Sequence, residues 1–344
     1  MNLHQKVWKH LRSRGAVLSL LGILCLGVLA GGCGGESQKT AGNSSSQVVI
    51  YSNADDEAVN AMKKTLDENG YKGQYLFKTF GTNELGGKIL AEGKNIEADM
   101  VTMSSYYLDS AQKKDKMFKE LQLGVTLLQK YPSYYAPFLA NQGALIVNTK
   151  VLQENHLPMP KSVKDLADPV YKGQISVVDI QGSSTAWLMI QSLIAAYGED
   201  ETRTILKGIY ANAGKHLEQS GSGPIKKVRA GEVAIGFGLR HQAVADKAKG
   251  LPIDYVDPAE GNYTLTESLA VVDHKGSANE KKAMEMVKVI IEKGRGELMK
   301  TYPVPLYQGE KSGTNAMSSL SKVFPEPLTV ELLKKHLDLS QECK

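Results

Sequence analysis

The sequence predicts an α/β protein built as two α/β lobes joined by crossing hinge strands, and three observations carry that expectation. Short β-branched or apolar runs, such as 48–51 and 99–103, recur along the chain at strand length. Polar turns rich in Ser, Thr, Asn and Asp follow them, and then apolar residues at helical spacing, the alternation that builds parallel sheets under helices. A late strand-like run, 262–272, leads back toward the first half, so two lobes fit better than one long sheet.

The order of elements supports this. Before any of them, Lys6, Lys9, Arg12 and Arg14 precede an apolar stretch over 16–30 that ends in Gly31-Gly32-Cys33. A basic start, a short apolar run and small residues before the cut define a secretory signal. The run falls short of the about 20 residues that a membrane span needs. The ending resembles a bacterial lipobox, with Ala30 where Leu is usual, so residues 1–33 are expected to be a lipoprotein signal whose Cys33 is lipidated. Residues 34–47, rich in Gly and Ser, are expected to be a flexible tether.

The first strand covers 48–51, and Ser52-Asn53-Ala54-Asp55-Asp56 caps a helix carrying Val59, Met62 and Leu66. A second strand spans 75–80, with Gly81-Thr82-Asn83-Glu84 capping the helix of Leu85, Ile89 and Leu90. The third, 99–103, ends in Ser104-Ser105. Residues 143–148 are strand-like, Pro158 and Pro160 mark a loop, and the strand over 174–178 feeds Ser183-Ser184-Thr185 and a helix with Trp187, Ile190 and Leu193. Ser220-Gly221-Ser222 opens a further helix, 232–237 is strand-like, and Ala283, Met286, Val287, Ile290 and Ile291 form one late helical stripe. Lobe 1 is expected to take 48–140 plus 263–344, and lobe 2 to take 141–262.

Charge and cysteine narrow the function classes. The formal net charge of +4 over 344 residues is the signal's contribution, and the remainder is formally neutral. Neither nucleic acid nor an anionic membrane surface has an electrostatic claim on it. Of Cys25, Cys33 and Cys343, no pair remains for an internal disulfide, and Cys343 reads as a free thiol at a frayed end.

Several stretches carry a more specific likeness: VVIYSNADDEAV at 48–59, GTNELGGKILAEGKNIEADMV at 81–101, GALIVNTKVL at 143–152, the block from Pro160 to Gly173 (P-x-S-x-x-D-L-x-D-P-x-Y-K-G), SGSGPIKKVRAGEVAIGFG at 220–238 and PIDYVDPAEG at 252–261. In them the chain resembles the extracellular solute-binding proteins of bacterial ABC importers, in the group of ferric-iron, 2-aminoethylphosphonate and phosphorylated-solute receptors. The resemblance implies a type II periplasmic-binding-protein fold with a hinge-closing cleft, no catalysis and no cofactor. It also implies a permease with its ATPase as partners, membrane contact through the lipid anchor only, a location outside the cell membrane, and a monomer.

Ligands of parallel α/β sheets gather at the carboxyl ends of the strands. Ser52, Asn53, Thr82, Asn83, Ser104, Ser105, Ser183, Ser184, Thr185, Ser220 and Ser222 stand at strand ends or helix starts. There, free backbone N–H groups and the helix dipole suit a phosphonate, phosphate ester or carboxylate. Arg240 is expected to hold such a head group bidentately. Asp179, Glu260 and Glu267 are candidates to hold a solute ammonium.

The resemblance leaves a ferric receptor open as the alternative. Such receptors typically place adjacent tyrosines where this chain has Gly238-Leu239-Arg240-His241-Gln242; the pairs Tyr106-Tyr107 and Tyr134-Tyr135 read as packing. No metal ligand set is expected. A hydrolase lacks every motif it would need (H-E-x-x-H, G-x-S-x-G, a P-loop). An extracellular sensor of the same fold stays as a third reading.

Overall fold

The computed structural model describes residues 47–312 and 318–344. The lipoprotein signal, Cys33 and nearly all of the tether lie outside the described residues.

Among the described residues the strands form one ten-stranded sheet with two regions, joined through one long strand. In the first, β1 (Val48–Ser52) lies parallel between β2 (Tyr75–Thr79) and β3 (Met100–Ser104). The apolar stripe of α1 (Asp56–Leu66) faces inward, while Asp55 caps its start by accepting from the Ala58 N–H at 3.1 Å. α2 (Thr82–Glu92) and α3 (Ser105–Asp115) follow β2 and β3.

β4 (Ala136–Asn148) then crosses the molecule. Its first half pairs with β9 (Asn262–Val271), which in turn pairs antiparallel with β3. Its second half pairs with β7 (Ile235–Leu239) and β8 (Ile253–Val256). The second region is completed by β5 (Ile175–Val178), parallel to both β7 and β6 (Leu217–Glu218). α4 (Thr149–Glu154), α5 (Thr185–Ala213), α6 (Gly223–Arg229) and α7 (Arg240–Ala248) belong to this half. α5 bends at Gly198, whose φ of 78° lies outside the helical region.

After β9, α8 (Ala278–Leu298) buries Ala283, Met286, Val287, Ile290 and Ile291 against the apolar face of α1, as the stripe predicts. The short strand β10 (Ser321–Lys322) pairs with the start of β9. Among the described residues no helix is long and apolar enough to cross a membrane.

Two features depart from the sequence reading. β4 begins at Ala136 rather than 143, because the Gly143 that reads as a strand start sits inside one continuous crossing strand. The last helix, α9 (Val330–Gln341), packs on α5 rather than with the first half alone. The Trp187 indole donates to His336 Nδ1 at 2.7 Å, and the hydroxyls of Tyr210 and Ser340 meet at 2.7 Å. Cys343 is therefore not at a frayed end: it is buried, with its thiol 3.5 Å from the Arg203 carbonyl.

Candidate functional site

A cavity of about 420 Å³ opens between the two halves, within the range that holds small molecules. The turns that leave the parallel strands wall it on both sides: 53–57 after β1, 79–82 after β2, 182–185 after β5 and 219–222 after β6. Its floor comes from the crossing strands, with Leu139 and Asn141 on β4 and Glu267 on β9. Leu139 pairs with Glu267 across the ladder. Side chains two apart on a strand share a face, so Asn141 lies one diagonal step from Glu267.

The wall of the second half is made of donors. Ser183, Ser184 and Thr185 stand at the start of α5, and Ser220 and Ser222 just before α6. Two glycines let these turns touch. A Cβ on Gly182 would lie 2.3 Å from the Gln219 carbonyl oxygen, and one on Gly221 the same distance from Thr185 Oγ1. Lys226, with no carboxylate partner among the described residues, and Arg229 complete this wall; Arg229 is itself paired with Asp246 at 3.0 Å.

The opposite wall is acidic. Asp55, Asp56, Glu57 and Glu267 all come from the first half or its crossing strand, whereas the lining's Lys226 and Arg229 come from α6 in the second half. Asp55 accepts from the Tyr302 hydroxyl, and burial pushes its carboxyl above the ordinary value. Glu267 is buried and accepts from Ser104 Oγ at 2.6 Å and Asn53 Nδ2 at 3.1 Å. Burial is the larger effect and pushes its pKa up to about 7, against the lowering by those two bonds. The cleft is thus electrostatically split.

Of the residues singled out from sequence, Asn53, Thr82, Ser183, Ser184, Thr185, Ser220 and Ser222 line the cavity, as does Glu267. The others are placed elsewhere. Ser52 is buried against Thr102, Oγ to Oγ1 at 2.7 Å. Ser104 and Ser105 face the crossing strand, holding Glu267 and the Thr266 carbonyl. Asn83 bridges the two halves at the rim: its Nδ2 donates to the carbonyls of Ile180 (2.8 Å) and Gln181 (2.9 Å), while Tyr107 donates to its Oδ1.

Arg240 does not reach the cavity wall. It is buried, donates to both oxygens of Asp257 at 2.7 and 3.2 Å, and lies over the Tyr255 ring. Glu260 accepts from the backbone N–H groups of Val163 and Lys164 and from Tyr197, which makes it a turn anchor. Asp179 is held by Lys344 at 2.7 Å. Neither tyrosine pair is among the described residues that line the cavity; Tyr107 donates to Asn83 and Tyr134 to Asp109, while the Tyr106 hydroxyl is buried without a partner among the described residues.

The sequence reading missed Asn141, Gln242 and the acid wall at 55–57. Two adjacent amides, Asn141 and Gln142, interrupting an otherwise apolar crossing strand were a signal for the first. Asp55 and Asp56 read from sequence only as part of a helix start, where Asp55 is indeed the cap, and Glu57 carries no signal of its own.

Comparison with known proteins follows the same lines. Residues 94–320 match the family model of bacterial extracellular solute-binding proteins. An uncharacterized protein of Haemophilus influenzae is 31% identical over 134 residues, which span 39% of this chain and only 38% of that protein. The spermidine/putrescine-binding periplasmic protein of Escherichia coli is 24% identical over 298 residues, 78% of this chain and 80% of that one. Among solved structures, the periplasmic binding protein P5PA superposes with a TM-score of 0.74 at 20% identity, over 87% of this chain and 100% of that one. AfuA from Actinobacillus pleuropneumoniae, with exogenous fructose-6-phosphate bound, gives 0.67 at 22%, over 87% and 95%. Iron-bound HitA from Pseudomonas aeruginosa gives 0.67 at 21%, over 87% and 99%. At these identities the likeness shows the fold alone, the type II periplasmic-binding-protein fold.

Proposed function

Because this chain belongs to the family of bacterial extracellular solute-binding proteins, we propose that its cleft captures a small solute by an oxyanion head group and delivers it to the permease of an ABC importer. The head group is a phosphonate, as in 2-aminoethylphosphonate, or a phosphate ester. One observation carries this reading: hydroxyl-bearing turns at helix starts converge on a single wall that has no carboxylate among its described residues. Helix N-termini present unpaired N–H groups and partial positive charge, and hydroxyls add donors that follow the oxygens of the guest.

Binding bridges the two halves, and the Asn83 contact at the rim suits the closed form that a permease would read. Lipidation at Cys33, which would tether a monomeric receptor to the outer face of the cell membrane, belongs to the same proposal. Ferric iron has less support. Tyr302 is the one tyrosine among the described lining residues, and its hydroxyl is committed to Asp55. A hard ferric ion favours several phenolate and carboxylate oxygens together.

The test is a thermal-shift screen of purified protein against 2-aminoethylphosphonate, fructose 6-phosphate, inorganic phosphate, putrescine and ferric citrate. A ligand at a hundredfold excess over Kd adds about 2.7 kcal/mol of stability. Stabilisation by a phosphorus oxyanion supports the reading. Stabilisation by iron alone, with a visible charge-transfer band, or by putrescine alone, overturns it.

A further inference from the structure

Two adjacent amides on β4 are treated differently by the fold. Gln142 lies outside the cavity lining, and its amide nitrogen donates to Ser321 Oγ at 2.8 Å and Thr264 Oγ1 at 3.3 Å. Successive side chains on a strand alternate faces, and Asn141 lines the cavity. Its amide oxygen is buried without a donor, so the nitrogen is the end that reaches the space, and that nitrogen meets no acceptor among the described residues. Gln242, in the first turn of α7, repeats the pattern. It is 6% exposed, its oxygen is buried and unpartnered, and its nitrogen reaches the cavity with no acceptor among the described residues. Nearby Arg240 is, by contrast, committed to Asp257. A buried amide with neither end bonded is rare in a folded protein, because each end has given up water for nothing.

The two nitrogens belong to one place. Leu239, just before α7, pairs with Gly143, two residues beyond Asn141, and itself lines the cavity. No side chain caps the start of α7, so the partial positive charge of that helix end adds to the same spot. The hydroxyl wall is close by. A Cβ on Gly238, near the end of β7, would lie 3.9 Å from the Gly221 carbonyl oxygen.

We propose that Asn141 and Gln242 are specificity-determining residues, a pair of amide donors that reads an uncharged acceptor oxygen, a carbonyl or a hydroxyl, on the short carbon chain behind the oxyanion. The inference rests on the oxyanion reading given above and adds a second point of contact to it. An amide NH2 gives hydrogens and accepts none, so its partner must be an acceptor. That acceptor is uncharged because Glu267 shares the floor, while the lining's Lys226 and Arg229 stand on α6. A second anion on the floor would meet a buried carboxylate with no cation beside it. A guest with only alkyl at this point would leave both nitrogens unpaired once closure expels water. A site built around a polar group rejects the analogue that lacks it in just this way.

The experiment compares guests that differ at one oxygen. By titration calorimetry at pH 8, purified protein is offered 2-oxopropylphosphonate and isobutylphosphonate, in which a methyl group replaces the carbonyl oxygen. A second pair is 2-hydroxyethylphosphonate and propylphosphonate, in which a methyl group replaces the hydroxyl. The ketone isolates the amides, because Glu267, largely ionised at this pH, can accept from a hydroxyl but has nothing to give a ketone. The ketone should bind about 100-fold tighter than its isostere. Gln242→Met and Asn141→Leu, which roughly keep the shape, should each cut that ratio about tenfold. Thermal melts confirm that the variants are folded, and a merely structural role would weaken ketone and isostere alike and leave the ratio unchanged. A ratio near one for the ketone, or one that neither variant alters, overturns the donor pair and leaves the oxyanion reading standing. A preference confined to the hydroxyl guest places the contact on Glu267 and also overturns the pair. Binding of none of the four phosphonates overturns the oxyanion reading and the donor pair with it.

Discussion

Replacing Glu267 by glutamine should stabilise the unliganded protein, and only at high pH. The carboxyl is buried on the crossing strand β9, and its pKa rises from 4.5 to about 7. A carboxyl with a raised folded pKa favours the folded state fully below its unfolded value, and that contribution is lost as pH climbs through the folded value. At about 1.4 kcal/mol per tenfold change in proton affinity, keeping Glu267 ionised above pH 7 costs the fold about 3 kcal/mol. Glutamine carries no such burden. Its NH2 group faces one of the two donors, Ser104 or Asn53, that now serve the carboxylate, so roughly 1 kcal/mol is lost with that bond. The net expectation is a variant more stable by about 2 kcal/mol at pH 8 and slightly less stable than the parent at pH 4.5. Urea denaturation of both proteins across pH 4.5 to 8.5 reads this as a difference that changes sign. A difference that stays flat with pH, or a variant less stable at pH 8, would refute the reasoning.

Three further outcomes follow from other contacts. Asp257→Ala leaves the buried Arg240 without its bidentate carboxylate and should lower stability by about 3–5 kcal/mol; urea midpoints measure the loss, and solute affinity of the folded fraction should hold within a few-fold. Asn83→Ala removes both rim hydrogen bonds between the halves and should weaken solute binding roughly tenfold, with a larger radius of gyration for the liganded protein in solution scattering. Thr185→Val deletes one hydroxyl of the donor wall while keeping the shape, and should cost roughly 10- to 100-fold in affinity for a phosphonate.

Local chemistry made most of the frame legible in the sequence. Runs such as Val48 to Tyr51 bury on both faces and could be little but inner strands, and the stripe from Ala283 to Ile291 could only be one side of a helix. The cap residues marked the cavity turns for the same reason, since what caps a helix also faces the strand ends. Arg240, Glu260 and Asp179 were less legible because a charged residue near a strand end serves equally well as a ligand group or as a partner to another part of the chain. Which role it takes depends on Asp257, on the turn at Val163 and on Lys344, all remote from it or set by tertiary packing. The acid wall stayed hidden because Asp55 to Glu57 satisfy a helix start so well that nothing local points to a second role.

The chain has two tryptophans, and Trp8 lies ahead of Cys33. Trp187 therefore remains as a lone long-wavelength fluorophore wherever the leader has been removed. Its ring stands edge-on to Tyr106 of α3 at 5.1 Å, while its own helix, α5, begins at the donor wall. Emission from this indole should track separation of the halves directly, so the protein comes with an optical gauge of its own and needs no attached dye.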